Sequence, residues 1–314
     1  MTTSWVRCCW CDTPLTRASD THPWLCQTPA CWDRIRPWVL STQKTKRGKP
    51  TGEVLDWLFA PTPKQTPFFE QTRVTKHTLF GGAKAVAKSY ALRWGLYRDS
   101  LRIPGLRCLL LRRTFAELEN THLLDMIVEA ERLAPVGARY LSGSREFWFG
   151  NQSLIKAGHC ESAADVQKFL STQWDRIVFD EVITFECDTM FLPIASCARS
   201  VKPVVIQEGG AQVWGGTNPG GRGARWVKAF FVDRDVDRET YPKYDPSQWG
   251  YVPGLVDDNP YVEPTYRQTL ENLPPMLRRQ WLHGDWDAFE GQAFDFQALK
   301  DGQPWHVRDM GIAA

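Results

Sequence analysis

Three short stretches of this chain hold residue types whose spacing could do chemistry. The first is Phe80-Gly81-Gly82-Ala83-Lys84-Ala85-Val86-Ala87-Lys88-Ser89. An apolar run ends in paired glycines, and Lys88-Ser89 precedes a helix-compatible segment. Counted from Gly82, this is the G-x-x-x-x-G-K-[ST] spacing of a phosphate-binding loop. Its amides and the following helix N-terminus would face phosphate oxygens. Lys88 would reach the β/γ oxygens and Ser89 would ligate magnesium. Ala87 stands where the pattern has its second glycine, so the loop must turn there with an ordinary dihedral or carry strain. The same residues also read as a small-residue turn before a helix, with Lys88 a solvated lysine.

The second stretch, Asp175-Arg176-Ile177-Val178-Phe179-Asp180-Glu181, is a buried-type strand ending in adjacent carboxylates. Beside a phosphate loop, the first acid would hold magnesium through water and the second would activate the attacking water. Alone, it is equally a strand ending in solvated acids. The third, Val213 to Gly216 followed by Thr217-Asn218-Pro219, is a strand running into a polar turn. In an open α/β sheet such a turn lies in the ligand crevice, where Thr217 and Asn218 could sense a γ-phosphate. A structural Asn-Pro turn is the plainer reading.

A separate cluster lies near the start. Cys8-x-x-Cys11 and Cys26-x-x-x-x-Cys31 form two short-spaced pairs about fifteen residues apart, a spacing that suits a structural zinc site. Cys9 and His22 leave the ligand assignment open. Residues 1–40 are read as a zinc-ribbon-like module and the basic, Gly/Pro-marked residues 41–53 as a linker able to touch a nucleic-acid backbone.

The elements that must position these groups follow an alternating strand and helix pattern from about residue 54, which predicts an α/β sheet. Residues 106–111 read as a buried strand. Thr114 and Glu117 form a capping box opening a helix that runs to about residue 133. Residues 146–149 and 153–157 read as a hairpin around Gly150-Asn151, and 161–170 as a helix.

The composition allows this and excludes other classes. The chain has 314 residues, 43% apolar and 24% charged, with a net charge of +2, as in ordinary globular proteins. No apolar run reaches membrane-spanning length and no signal-type segment opens the chain. Nine irregularly spaced cysteines do not make a secreted disulfide framework, so a cytoplasmic location is expected. Basic groups such as Lys44, Lys46, Arg47 and Lys49, Arg112-Arg113 and Arg278-Arg279 would suit a polyanion or be solvated faces.

Taken together, Phe80 to Ser89, Ile177 to Glu181 and Gly216 to Pro219 resemble the large subunit of tailed-phage terminases, the ATPases that pump DNA into procapsids. Asp258-Asn259-Pro260 and Gly284-Asp285-Trp286 resemble the tail of that family's ATPase domain, and Pro61 to Gln65 its adenine-recognising segment. The resemblance covers residues 55–297 and implies a P-loop fold of the additional-strand, catalytic-glutamate type. It gives a mainly parallel sheet over 54–297, with a lid region after about residue 230 and residues 298–314 as the start of a linker.

In roles, the resemblance implies that Gln65 meets adenine and that Gly81, Gly82, Ala83, Lys84, Ala85, Val86, Ala87, Lys88 and Ser89 cradle the phosphates of ATP. Ser89 and Asp180 hold Mg2+, Glu181 is the catalytic base, and Thr217 and Asn218 couple hydrolysis to movement. Arg139 and Arg145 are the candidates for an arginine finger acting in trans in a homo-oligomeric ring. Double-stranded DNA, a small subunit and a portal protein are the implied partners, with no membrane. Zn2+ is expected in the N-terminal module, which is not a general feature of the family. The family's nuclease domain usually follows this segment, so no cutting activity is expected of this chain. The readings set against this are a helicase-like P-loop ATPase and a catalytically silent zinc-containing nucleic-acid-binding or assembly protein.

Overall fold

The computed structural model describes residues 61–134 and 137–288. The paired cysteines Cys8, Cys11, Cys26 and Cys31, the basic linker and residues 298–314 lie outside the described residues.

One eight-stranded sheet organises the chain: β1 (His77–Gly82), β2 (Arg107–Arg112), β3 (Arg139–Leu141), β4 (Glu146–Trp148), β5 (Leu154–His159), β6 (Arg176–Asp180), β7 (Gln212–Gly216) and β8 (Trp249–Gly254). Their order across the sheet is β3-β4-β5-β2-β6-β7-β1-β8. The six strands from β5 to β8 are parallel, and β3 and β4 add an antiparallel edge. The strand leading into the candidate phosphate loop, β1, and the strand carrying the acids, β6, are separated by β7. All three motifs therefore emerge at the same carboxyl-end crevice.

Alternation along the strands supplies two cores. Phe80, Leu110, Val178 and Trp214 face one side of the sheet, and Leu79, Leu109, Leu111, Ile177, Phe179 and Val213 the other. The first side is covered by α1 (Gln65–Gln71), α2 (Lys88–Arg102) and a long α3 made of Phe115–Leu118, a π-turn Glu119–Leu123, and Leu124–Arg132. The second is covered by α4 (Ala163–Leu170), α5 (Asp188–Ala195) and residues 224–232. The capping box at Thr114 and Glu117 forms as the sequence implies, its two hydrogen bonds closing the first turn of α3. A second box, Ser162 with Asp165, opens α4. The hairpin around Gly150 forms too.

A smaller cluster of Val256, Leu270 and Leu282 holds a terminal layer, including α6 (Pro264–Glu271) and α7 (Pro275–Trp281), against Ala85 of the loop. None of the described helices is long and apolar enough to cross a membrane.

Candidate functional site

The candidate phosphate loop is built by close backbone approach. At Gly82, with φ 110°, a Cβ would lie 2.3 Å from the Gly254 carbonyl oxygen, so only glycine lets β1 and β8 run together into the loop. Ala83 N–H then donates to that same oxygen at 2.8 Å. Beyond it the chain turns twice through the left-handed region without glycine: Ala85 has φ 62° and Ala87 φ 59°. Ala87 thus adopts the strained alternative that the sequence left open. It is anchored there by Gln65, whose Nε2 donates to the Ala87 carbonyl at 3.2 Å. Asn259 Nδ2 donates to the Ala85 carbonyl at 2.6 Å and Asn218 Nδ2 to the Gly82 carbonyl at 2.8 Å. Three side chains distant in sequence therefore hold loop carbonyls, while the Ala83 and Lys84 amides are held by the Gly254 and Trp281 carbonyls.

Lys88 opens α2 and is buried, its Nζ donating to the Ala83 carbonyl at 2.7 Å. Burial pushes its pKa down to about 8 against the pull of Glu181 and Asp180. Lys84 takes the opposite direction. Its ammonium lies 3.2 Å from the centroid of the Trp281 ring and its N–H donates to the Trp281 carbonyl at 2.7 Å. Burial lowers its pKa also.

The acids end β6. Ser89 Oγ donates to Asp180 Oδ1 at 3.1 Å, joining the loop helix to the acid strand across 91 residues. Asp180 Oδ2 is 2.9 Å from His122 Nε2 and 3.4 Å from Arg112 Nη1. Burial would raise the Asp180 pKa, but the His122 hydrogen bond and the positive Arg112 hold it down at about 2. Glu181 has φ 56°, and Thr217 Oγ1 donates to its Oε2 at 3.0 Å. Burial and the neighbouring Asp180 charge raise its pKa above the ordinary value, so the adjacent acids differ in proton affinity.

A divalent cation fits this donor set in a specific way. Among the described residues no group of three or more His, Cys, Asp or Glu could hold a metal ion. Magnesium coordinated by one or two protein oxygens, water and substrate phosphates needs no such cluster. Ser89 Oγ and an ionised Asp180 Oδ1 would supply those oxygens.

The remaining candidates separate. Gln65 is 1% exposed, with its Oε1 accepting from Thr62 N–H at 2.9 Å and its Nε2 on the loop. Arg139 of β3 pairs with Trp148 of β4, in the row of Leu154 and Arg107, at the amino end of the sheet. Arg145, at φ 54°, lies past Glu146 on the carboxyl-end side and faces the Phe115 ring at 5.5 Å. Neither arginine is brought to Lys88, Asp180 or Glu181 within this chain. Arg112, which the sequence offers only as half of a basic pair, is turned inward to Asp180. Arg279 and Asp285 pair with each other at 2.7 Å, and Asp287 pairs with Lys228 at 3.2 Å. His122, against Asp180, and Trp281, against Lys84, are neighbours of these candidates that no motif signals.

No family profile and no curated protein matches the sequence. Solved structures do match. The large terminase of a thermophilic bacteriophage in complex with ATP-gamma-S superposes with a TM-score of 0.55 at 12% identity, over 72% of this chain and 52% of that one. The ADP complex of the same protein gives 0.54 at 14% identity, over 74% and 57%. The large terminase ATPase domain of Thermus phage P74-26 gives 0.51 at 15% identity, over 76% of this chain and 100% of that domain. The chain thus spans about half the length of the full-length terminase and matches the whole of the isolated ATPase domain. In fold, this chain is similar to the ATPase domains of phage large terminases.

Proposed function

We propose that this chain is the ATP-hydrolysing motor domain of a phage terminase large subunit, which moves double-stranded DNA into a procapsid. The observation that carries the reading is the convergence of Ser89, Lys88, Asp180 and Glu181 at one crevice, from strands separated by β7. Lys88 carries charge to the β/γ phosphates, exchanging the Ala83 carbonyl for a phosphate oxygen. Ser89 and Asp180 would hold a magnesium ion, whose charge would be supplied to the phosphates. Glu181, with its raised pKa, orients water for in-line attack and accepts its proton. Gln65, expected to contact adenine, would have to exchange its Thr62 and Ala87 hydrogen bonds to do so, and Lys84 reads phosphate when it leaves Trp281. Thr217 and Asn218 link the acid and the loop, which is what a coupling element must do.

The same reading assigns a ring of copies acting with a portal protein and small subunit in the host cytoplasm, with Arg145 or Arg139 reaching a neighbour's nucleotide. Zinc bound by Cys8, Cys11, Cys26 and Cys31 would fold the N-terminal module, and metal analysis of the purified chain tests it.

Steady-state ATP hydrolysis with magnesium, with and without double-stranded DNA, tests the function. Turnover that is stimulated by DNA and lost in Lys88→Ala and Glu181→Gln is expected. A chain that binds no magnesium nucleotide by calorimetry would overturn the reading.

A further inference from the structure

His122 is fully buried and sits on the π-turn Glu119–Leu123, where α3 carries one extra residue. Its two ring nitrogens have different partners. Nδ1 is 3.3 Å from Arg93 Nη1 and Nε2 is 2.9 Å from Asp180 Oδ2. A guanidinium can only donate, so Nδ1 accepts and the ring proton is on Nε2, donated to the carboxylate. Arg93 is itself immobilised. Its Nε and Nη2 bind the two oxygens of Glu129 at 2.8 and 2.9 Å, and Nη2 reaches Asp125 at 2.7 Å. Glu129 is held in turn by Trp94 Nε1 and Tyr97 OH. A rigid chain of hydrogen bonds therefore runs from the interface of α2 and α3 to Asp180.

This chain ends on one oxygen of Asp180 and leaves the other. Oδ2 is taken by His122, with Arg112 beside it, whereas Oδ1 points at Ser89. A carboxylate free to rotate would exchange the two. We propose that His122 is a positioning residue: its Nε2–H fixes the rotation of Asp180 so that Oδ1, together with Ser89 Oγ, is presented to the divalent cation of a magnesium nucleotide. The inference rests on the reading of this crevice as a magnesium-nucleotide site. It follows the general behaviour of groups that orient a metal-binding carboxylate, whose loss costs about 10- to 100-fold in metal affinity or activity. The π-turn has a function on this account. It rotates one side chain of α3 inward to a carboxylate 58 residues away, which a regular turn would not.

The test uses the full chain, a fluorescent ATP analogue and magnesium chloride, with nucleotide affinity read across a magnesium series and without magnesium. His122→Leu removes the donor, and His122→Gln keeps an Nε2–H at similar reach. The magnesium concentration giving half of the affinity gain should rise about 10- to 100-fold in His122→Leu. It should stay near the wild-type value in His122→Gln, and metal-free affinity should be unchanged in both. A folded His122→Leu with the wild-type magnesium midpoint overturns the proposal. So does a loss of affinity equal with and without magnesium, which is what a packing role alone would give. If His122→Leu does not fold by circular dichroism, a folded His122→Gln with a raised midpoint overturns it and one with the wild-type midpoint supports it. A wild-type chain whose nucleotide affinity ignores magnesium overturns the function reading itself, and this inference with it.

Discussion

Thr217, fully buried at the end of β7, donates its hydroxyl to Glu181 Oε2 at 3.0 Å, while the neighbouring Asn218 holds the loop carbonyl of Gly82. Two adjacent residues thus grip the proposed base and the phosphate loop. Thr217→Val keeps the shape and removes the donor, leaving a buried carboxylate short of a partner. We expect kcat to fall by about 10- to 100-fold with KM nearly unchanged, since the hydroxyl is committed to the carboxylate of Glu181. Steady-state kinetics check this, and a change confined to KM would contradict it.

Ala87 is held at φ 59° by the Gln65 hydrogen bond. An alanine in the left-handed region carries a cost of about 1–2 kcal/mol, part of which glycine returns through a more flexible unfolded chain. Ala87→Gly should therefore stabilise the fold by about 0.5–1 kcal/mol net. Ala87→Val, β-branched at the same dihedral, should destabilise it by at least about 1 kcal/mol. Denaturant unfolding of the pair measures both signs.

Lys84 is stacked on Trp281 with its ammonium 3.2 Å from the ring centroid. To meet a phosphate it must give up that contact. A cation–π contact is worth about 0.5–2 kcal/mol, so Trp281→Ala should tighten nucleotide binding by about 2- to 30-fold. The backbone bond from Lys84 to residue 281 remains in the variant. Titration with a fluorescent nucleotide gives the answer, and weaker binding would refute the latch.

Away from the crevice, Asp99 is buried and bonds Arg98 Nη2 at 2.8 Å and Arg176 Nε at 3.0 Å. Burial would raise its pKa, but Arg98, Arg176 and Arg102 depress it below the usual carboxylate range. A depressed folded-state pKa contributes stability that is full above the ordinary value of about 4 and is lost as pH falls below it. Asp99→Asn should cost about 3–5 kcal/mol at neutral pH, because the arginines lose their buried counter-charge. It should also flatten the acid limb of the stability profile, measured by denaturation across a pH series.

The chemistry-bearing residues that were legible in sequence were those adjacent along the chain. Lys88 and Ser89 open a helix, and Asp180 and Glu181 end a strand. Backbone geometry alone then places each pair at a carboxyl-end crevice. The strands β1, β2, β6 and β7 were readable because their apolar runs feed cores on both faces. β3 has three residues and β8, Trp249-Gly-Tyr-Val-Pro-Gly, carries a proline and two glycines, so neither shows a strand pattern. Pro253 is tolerated there because β8 is an edge strand.

The sequence by itself determined the small-residue turn into the Lys88 helix, the adjacent acids, the Thr114 capping box and the alternation of strand and helix. Each depends on residues within a few positions of one another. Only the tertiary structure decided that Ala87 takes the left-handed turn, that His122 and Arg112 share one oxygen of Asp180, and that Trp281 engages Lys84. It also placed Arg139 and Arg145 at opposite ends of the edge hairpin of β3 and β4. These outcomes depend on strand order, register and a π-turn, which set distances between residues far apart in the chain. No local propensity encodes a distance of that kind, because it is the summed packing of two cores that fixes where those side chains end.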